Sequence, residues 1–226
     1  MLRGEAFMAV WHDIQTEDEV EYNQWHTVQH MPERVGVPGF TAGRRYVDWN
    51  LPLHRYFTLY EGERLDTFSS EPYRERLNNP TEWTTRMQPH FTNFVRSACT
   101  TLSTSGIGFG GALLTIRAYS TGNGRAALEE AAGSLQEQLS GQHGVTGIHL
   151  GWAEPETTRV RTAETDLRRL TGEEVFDAVL MVEGIGRREV EAVTPSAQKL
   201  LGQIGGIRDG EAAVYDLAYL LTSQEL

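Results

Sequence analysis

The sequence predicts an α+β fold: two tandem copies of one strand–helix–strand–strand–helix–strand unit, packed sheet to sheet within a single chain. Three observations lead there. Gly36-Val37-Pro38-Gly39-Phe40-Thr41-Ala42-Gly43 is echoed by Gly144-Val145-Thr146-Gly147-Ile148-His149-Leu150-Gly151, both reading G-V-x-G-apolar-x-x-G, at an offset of 108. Phe57–Gly62 (FTLYEG) is echoed by Val179–Gly184 (VLMVEG), and Pro72 and Leu77 by Pro195 and Leu200, at offsets of 122 and 123. Helical and strand periodicities also follow in the same order through both halves. The change of offset places an insertion of about fourteen residues inside 153–174 of the second half.

Taken in order, Ala6–Ile14 alternates around Met8, Val10 and Ile14 as a strand should. Thr16-Glu17-Asp18-Glu19 has the form of a capping box, and the helix it opens is expected to run to about His30, because Pro32 disfavours helical geometry at Met31. Strands are expected over Phe40–Trp49 and Arg55–Glu61, and a helix over Arg64–Asn78. Asn79-Pro80 suits the start of a further helix with proline at its first position. On that helix Trp83, Met87, Phe91 and Phe94 form an apolar stripe, with Pro89 interrupting it, and Val95–Ser103 closes the half as a strand. The tract Ser105–Gly111 (SGIGFGG) reads as a hinge between residues 1–104 and 112–226. The second half repeats the pattern with Ala112–Ser120, Gly124–Ser140, Val145–Ala153, Val175–Ile185, Arg187–Gln203 and Ala212–Thr222. Glu154–Glu174, polar and rich in Arg and Glu, reads as a mobile surface loop with a short helical piece near Asp166–Leu170. A strand order of this kind is the ferredoxin-like split βαβ arrangement; each sheet buries one face under two helices, and two linked units can cover each other's second face as an intramolecular α+β barrel.

Composition narrows the function. The net charge is −11 with the acidic residues dispersed, and no cluster of positive charge is present to neutralise phosphates, so a nucleic-acid surface is not expected. No apolar run approaches the roughly 18 residues of a membrane span. The start, MLRGEAFMAVWHDI, has no secretory signal pattern, which leads to the expectation of a cytoplasmic protein. Cys99 is the only cysteine, which excludes an internal disulfide framework and a cysteine-based zinc site. Lys199 is the only lysine, so a Schiff-base reading has one candidate, and that lies in an ordinary helical pattern. Nothing resembles a P-loop or a dinucleotide fingerprint: SGIGFGG follows a strand but opens another strand.

The pattern W-H-x-x-x-H-M-P-E (Trp25 to Glu33) followed by V-P-G-F-x-x-x-R-R-Y (Val37 to Tyr46) resembles the dimeric α+β-barrel superfamily. Within it the chain is similar to the EthD-like and stress-responsive barrel proteins, in which a helix ends in H-x-P, here His30-Met31-Pro32, before a P-G-F strand entry, here Pro38-Gly39-Phe40. The resemblance implies a ferredoxin-like barrel. It leaves the activity open, since relatives include cofactor-free monooxygenases, lactone isomerases, polyketide cyclases and haem enzymes. Single-repeat barrels of this kind need two chains. A duplicated chain can satisfy its own sheet faces, so either a monomer or a homodimer fits.

The candidate chemistry lies in the first half. At 100° per residue, His26 and His30 are one turn apart beside the apolar side of the first helix, where both imidazoles can reach one small ligand or proton. They read as a catalytic acid/base pair or as ordinary helix histidines. A metal pair would need a third ligand that no motif supplies, so no metal is assigned. Trp25 or Trp83 would form an apolar wall. His12 shares a strand face with Met8 and Val10 and approaches the pair if that face looks at the helices. Arg44 and Tyr46 share one face of their strand and Arg45 takes the other; an inward Arg needs a carboxylate from the protein or from a substrate. Arg86 and His90 are further polar candidates, four residues apart. The expectation is a small-molecule enzyme of isomerase, lyase or cofactor-free oxygenase type, using His-centred acid/base chemistry in the first repeat without a cofactor. The alternative is a non-catalytic barrel that binds a small ligand or acts as a scaffold, and haem on one imidazole is a third option.

Overall fold

Strand β1 (Ala6–Ile14) obeys the alternation expected of it. Phe7, Ala9 and Trp11 enter one buried cluster, while Met8, Val10 and Ile14 enter another on the opposite face. The structure, a computed structural model, describes residues 1–168 and 175–226. Its further strands are β2 (Phe40–Val47), β3 (Tyr56–Gly62), β4 (Phe91–Gly106), β5 (Ala112–Ser120), β6 (Val145–Ala153), β7 (Ala178–Gly184) and β8 (Ile207–Thr222). Among the described residues these eight strands close into one barrel in the order β1-β3-β2-β8-β5-β7-β6-β4, with β4 returning to β1.

Within that order the first four strands run β4-β1-β3-β2 and the second four β8-β5-β7-β6, the same arrangement twice. The chain therefore folds as two ferredoxin-like units forming one intramolecular α+β barrel. Antiparallel seams β2–β8 and β4–β6 join them edge to edge, so no barrel edge is left unpaired. The core has three parts. One fills the barrel with side chains of both units, including Trp11, Phe57, Met181 and Tyr215. The other two lie outside it, under the helices of each unit.

The first unit's helices are α1 (Glu19–Trp25), α2 (Met31–Val35), α3 (Glu71–Asn78) and α4 (Glu82–Met87); those of the second are α5 (Gly124–Ser140), α6 (Pro155–Thr158), α7 (Ala163–Leu167) and α8 (Arg187–Gly202). Several boundaries differ from the sequence expectation. The capping box does not form: Thr16–Asp18 is a 3-10 turn, and Glu19 turns instead to an ion pair with Arg55 at 2.5 Å. Thr81, not Asn79, caps α4 by accepting from the Thr84 N–H. Phe91 and Phe94 are not helical; they open β4. Asn93 between them, at φ 49°, allows both rings to reach the helix-side cluster although they are three residues apart. Strand β8 begins at Ile207, earlier than expected, because the polar run Arg208–Glu211 hides its start. Glu154–Glu174 is not a loose loop where it is described: α6 and α7 pack on the first unit, and Glu164 is buried. Of the helical piece expected near Asp166–Leu170, residues 169 and 170 lie outside the described residues, as does the rest of the insertion to 174.

Inside one end of the barrel, Arg44 joins the two units. Its guanidinium donates to Glu61 Oε1 and to Glu183 Oε1, each at 2.7 Å, from the matching E-G positions of β3 and β7. His149 Nε2 lies 2.8 Å from the same Glu183 oxygen, and the Gly110 N–H donates to the other. Against the cost of burial, these partners hold the Glu183 carboxyl down at about 2. Substituting Arg44→Ala strands two buried carboxylates and is expected to cost about 3–5 kcal/mol in chemical denaturation. At Gly43, where α2 crosses β2, an added Cβ would run into Met31 Sδ and come within 2.9 Å of Val35 Cγ2. Gly43→Ala is accordingly expected to lose about 1–3 kcal/mol by the same measurement, through overpacking.

Candidate functional site

The helix that carries the candidate histidines does not end at His30. Residues His26–His30 form a π turn between α1 and α2, closed by the Met31 N–H donating to the His26 carbonyl, and the helical path runs through Pro32 to Val35. Pro32 has no N–H, and in a regular turn its ring would meet the Val28 carbonyl. One widened turn accommodates both. The π turn also decides which side chains meet. Trp25 and His30 are five residues apart, about 140° around a regular helix, yet their ring centroids are 4.3 Å apart. His26 and His30 centroids are 5.3 Å apart.

Below these rings lies a small cavity of about 40 Å³, between the π turn, the outer faces of β1, β3 and β4, and α7. His12, His26 and His30 all line it. Arg34, Arg96, Glu164 and Arg168 supply its charged wall, and Val10, Phe91 and Phe94 part of its apolar one. The three imidazoles are at most 8% exposed, and among the described residues the Nδ1 of each has no hydrogen-bond partner. His12 Nε2 lies 2.8 Å from the Tyr22 hydroxyl, and its ring stacks on Tyr56. A wider groove of about 600 Å³, between α5 and the β4–β6 seam, is lined by no imidazole or guanidinium among the described residues.

Burial governs the protonation states. Desolvation lowers His26 and His30 well below the usual imidazole range, with Arg45 and Arg34 respectively the next contributors. His12 falls to about 3, again through burial, which outweighs the opposite pull of Asp13. All three are neutral at pH 7, each with a free ring nitrogen. Glu164 arrives from α7, whose capping box at Thr162 orders it, and forms ion pairs with Arg34 and, at 3.0 Å, with Arg168. Burial opposes the charge on Arg34, but Glu164 outweighs it and holds the guanidinium above its ordinary value. On Arg168 the balance falls the other way: burial, with Arg96 beside it, lowers it to about 10.

The remaining sequence candidates sit elsewhere. Arg44 and Tyr46 point into the barrel, away from this cavity, where Arg44 finds the protein's own carboxylates. Arg45 takes the outer face as expected, but donates to Asn23 O and Thr27 Oγ1, fastening α1 to β2. Trp25 backs His30 without lining the cavity. Trp83 is not a wall: its Nε1 donates to Glu21, to which Arg86 also turns at 3.5 Å. His90 pairs with Asp18 at 2.6 Å, half-exposed on the same outer flank. Arg34, Glu164 and Arg168 were not among the candidates. Arg34 is four residues beyond His30, a signal lost by ending the helix too early, and Glu164 comes from the other unit. Among the described residues, no group of three or more His, Cys, Asp or Glu side chains is placed to hold a metal ion, and no helix is long and apolar enough to cross a membrane.

No protein-family model matches the chain, and no curated protein matches it in sequence. Solved structures do. An anthrone oxidase-like protein superposes with a TM-score of 0.67 at 12% identity, covering 96% of this chain and 92% of that one. A mutant chlorite dismutase from Candidatus Nitrospira defluvii gives 0.54 at 10%, covering 96% and 93%. A heme-binding protein from Thermus thermophilus gives 0.51 at 10%, covering 96% and 92%. The shared fold is the ferredoxin-like α+β barrel. At such identities the likeness is one of architecture, and activity has to be argued from the cavity.

The buried neutral imidazoles have a thermodynamic consequence. His12 takes up a proton near 6.5 when unfolded and near 3 when folded, so acid favours the unfolded chain. Its contribution to stability is complete above about pH 6.5 and is lost as pH falls toward 3. Unfolding free energy is expected to drop by about 2 kcal/mol from pH 7 to pH 5 on account of His12 alone. Denaturation of His12→Phe across that range should show a correspondingly shallower slope.

Proposed function

We propose that the chain is a small-molecule enzyme whose site is the His12–His26–His30 cavity of the first unit, working by proton transfer to and from a carbonyl, enol or phenol. The observation that carries this reading is the pairing of three unprotonated imidazoles, each with a free Nδ1, with guanidinium groups across the same small cavity. A neutral imidazole can accept a proton at pH 7, and Arg34 and Arg168 face the negative charge that its loss would leave on the substrate. Because burial disfavours the imidazolium, the proton is readily returned, which suits an isomerase or lyase. In a cofactor-free oxygenase the same step would expose a carbanion or phenolate to oxygen. His26 and His30 are the proposed acid/base pair, with His12 and Tyr22 behind them.

The proposal takes residues 1–104 and 112–226 as copies of one ancestral unit, joined through 105–111, of the EthD-like kind. Thr58 and Tyr60, which line the cavity, correspond at the offset of 122 to Leu180 and Val182, which are plain core in the second unit. The first copy would hold the site and the second the packing. Closure of the barrel within one chain favours function as a monomer. Haem, which the Thermus neighbour's description raises, does not fit: about 40 Å³ is far below the several hundred a ligand of that size occupies. The same small volume favours a second reading, a binder of a small ligand without catalysis.

The test is turnover. A panel of small enolisable ketones, hydroxy ketones and lactones is followed for isomerisation and for oxygen uptake. His26→Ala or His30→Ala is expected to lower turnover by roughly 100-fold or more, the scale of general acid/base catalysis. Normal turnover in both folded variants would refute the assignment. Binding without turnover of any member would select the second reading.

A further inference from the structure

The charges lining the cavity do not balance. Among the described residues, Arg34, Arg96 and Arg168 line it with one carboxylate, Glu164, and the imidazoles between them are neutral. Glu164 is 1% exposed, and the side chains of Arg34 and Arg168 are 4% and 6% exposed. The neighbouring polar groups leave donors unused. Arg168 donates through Nε to Gln88 Oε1 at 2.6 Å and through Nη2 to Glu164, but among the described residues its Nη1 has no partner. Arg96 donates through Nη2 to the Thr158 carbonyl at 3.1 Å, while its Nε has no partner among the described residues. Glu33, on the helix of Arg34, is half-buried and does not line the cavity. Buried guanidinium donors without acceptors cost free energy that an anion entering the cavity would recover.

Glu164 reaches this position by an unusual route. It belongs to the second unit's insertion, yet α7 sets it among side chains of the first, with the Ala163 N–H donating to Asn78 Oδ1. A carboxylate from a distant segment thus occupies the anion position of a cavity otherwise built from β1, β3, β4 and the first helix. Around it stand Tyr60, Tyr73, Phe91 and Phe94, with the Arg168 guanidinium 4.3 Å from the Phe94 ring centroid. Exchanging one carboxylate for another leaves the charge of the cavity unchanged, and a freed Glu164 regains water.

We propose that the ligand of this cavity is a small aliphatic acid, the size that about 40 Å³ admits, whose carboxylate takes the place of Glu164 against Arg34 and Arg168. The donors that Glu164 leaves unused would serve a second oxygen beside that carboxylate, and the acidic O–H or C–H would face His26 and His30. This rests on the reading of the cavity as a ligand site, not on any particular reaction there.

The experiment compares acetate and glycolate with acetamide, the uncharged isostere of acetate, by calorimetric titration of the full chain. Both acids are expected to bind at least ~10-fold more tightly than the amide, the scale of a charge-assisted bidentate pair. Glu164→Gln removes the internal competitor and is expected to strengthen acetate binding, whereas a purely structural Glu164 would weaken it. Arg168→Gln should bring the acid-to-amide ratio toward one. Equal binding of acid and amide by the unaltered chain, or binding of neither at millimolar concentration, would overturn the proposal without reference to any variant. His26→Ala is expected to keep the acid preference. Loss of turnover with the preference retained supports both readings, and turnover confined to uncharged substrates sinks this one alone.

Discussion

Closure of the sheet is the constraint on which the rest of the structure depends. Each ferredoxin-like unit alone would leave one face and two edges of its sheet exposed. The seams β2–β8 and β4–β6 remove both liabilities together, turning the uncovered faces into a shared barrel core. Arg44 reinforces the join: one guanidinium, from the first unit, is held between equivalent glutamates of the two. Such a cluster is not a source of stability relative to an apolar filling, since desolvation offsets most of its Coulomb energy. It does penalise any register of β2 against β8 that separates Arg44 from either partner.

Closure also determines where chemistry can occur. The barrel is packed by side chains such as Trp11, Phe57 and Tyr215, so the space for a buried site lies in the layer between sheet and helices. In the second unit Leu128, Leu135, Leu180 and Val182 fill that layer. In the first unit, polar side chains replace them and leave a cavity. The two units share an architecture while their outer layers differ in kind, one given to packing and one to buried polar groups.

Within the cavity, a single physical effect acts on two sets of side chains with different outcomes. Burial neutralises the imidazoles, because an uncharged state is accessible to them near neutrality. It cannot neutralise the guanidinium groups at pH 7, so they retain their charge and must find anions. Glu164 meets that demand for Arg34 and only partly for Arg168, as the opposite directions of their shifts show. Neutral imidazoles and incompletely paired cations thus share one cavity.

The α+β class, the repeated unit and most strand positions were legible because they depend on local periodicity and on an internal echo. Ala6–Ile14, Ala112–Ser120 and Gly124–Ser140 fall where alternation and helical spacing put them. His26 and His30 were legible as a pair for the same reason. What the sequence did not determine was anything arising from long-range packing. The π turn that stacks His30 on Trp25 results from Pro32 being carried inside a helix, which only tertiary packing of α2 against β2 makes tolerable. Phe91 and Phe94 read as helical because their spacing suits a helix, and a left-handed Asn93 gives the same spacing in a strand. Alternation puts Arg44 and Tyr46 on one face of β2 and Arg45 on the other, but which face looks into the barrel depends on closure. Glu164 is the clearest case: 130 residues separate it from Arg34, and no local pattern records that they meet. Periodicity along the chain determines elements and faces, while the partner of a buried charge is decided only when the sheet closes and the distant segment docks.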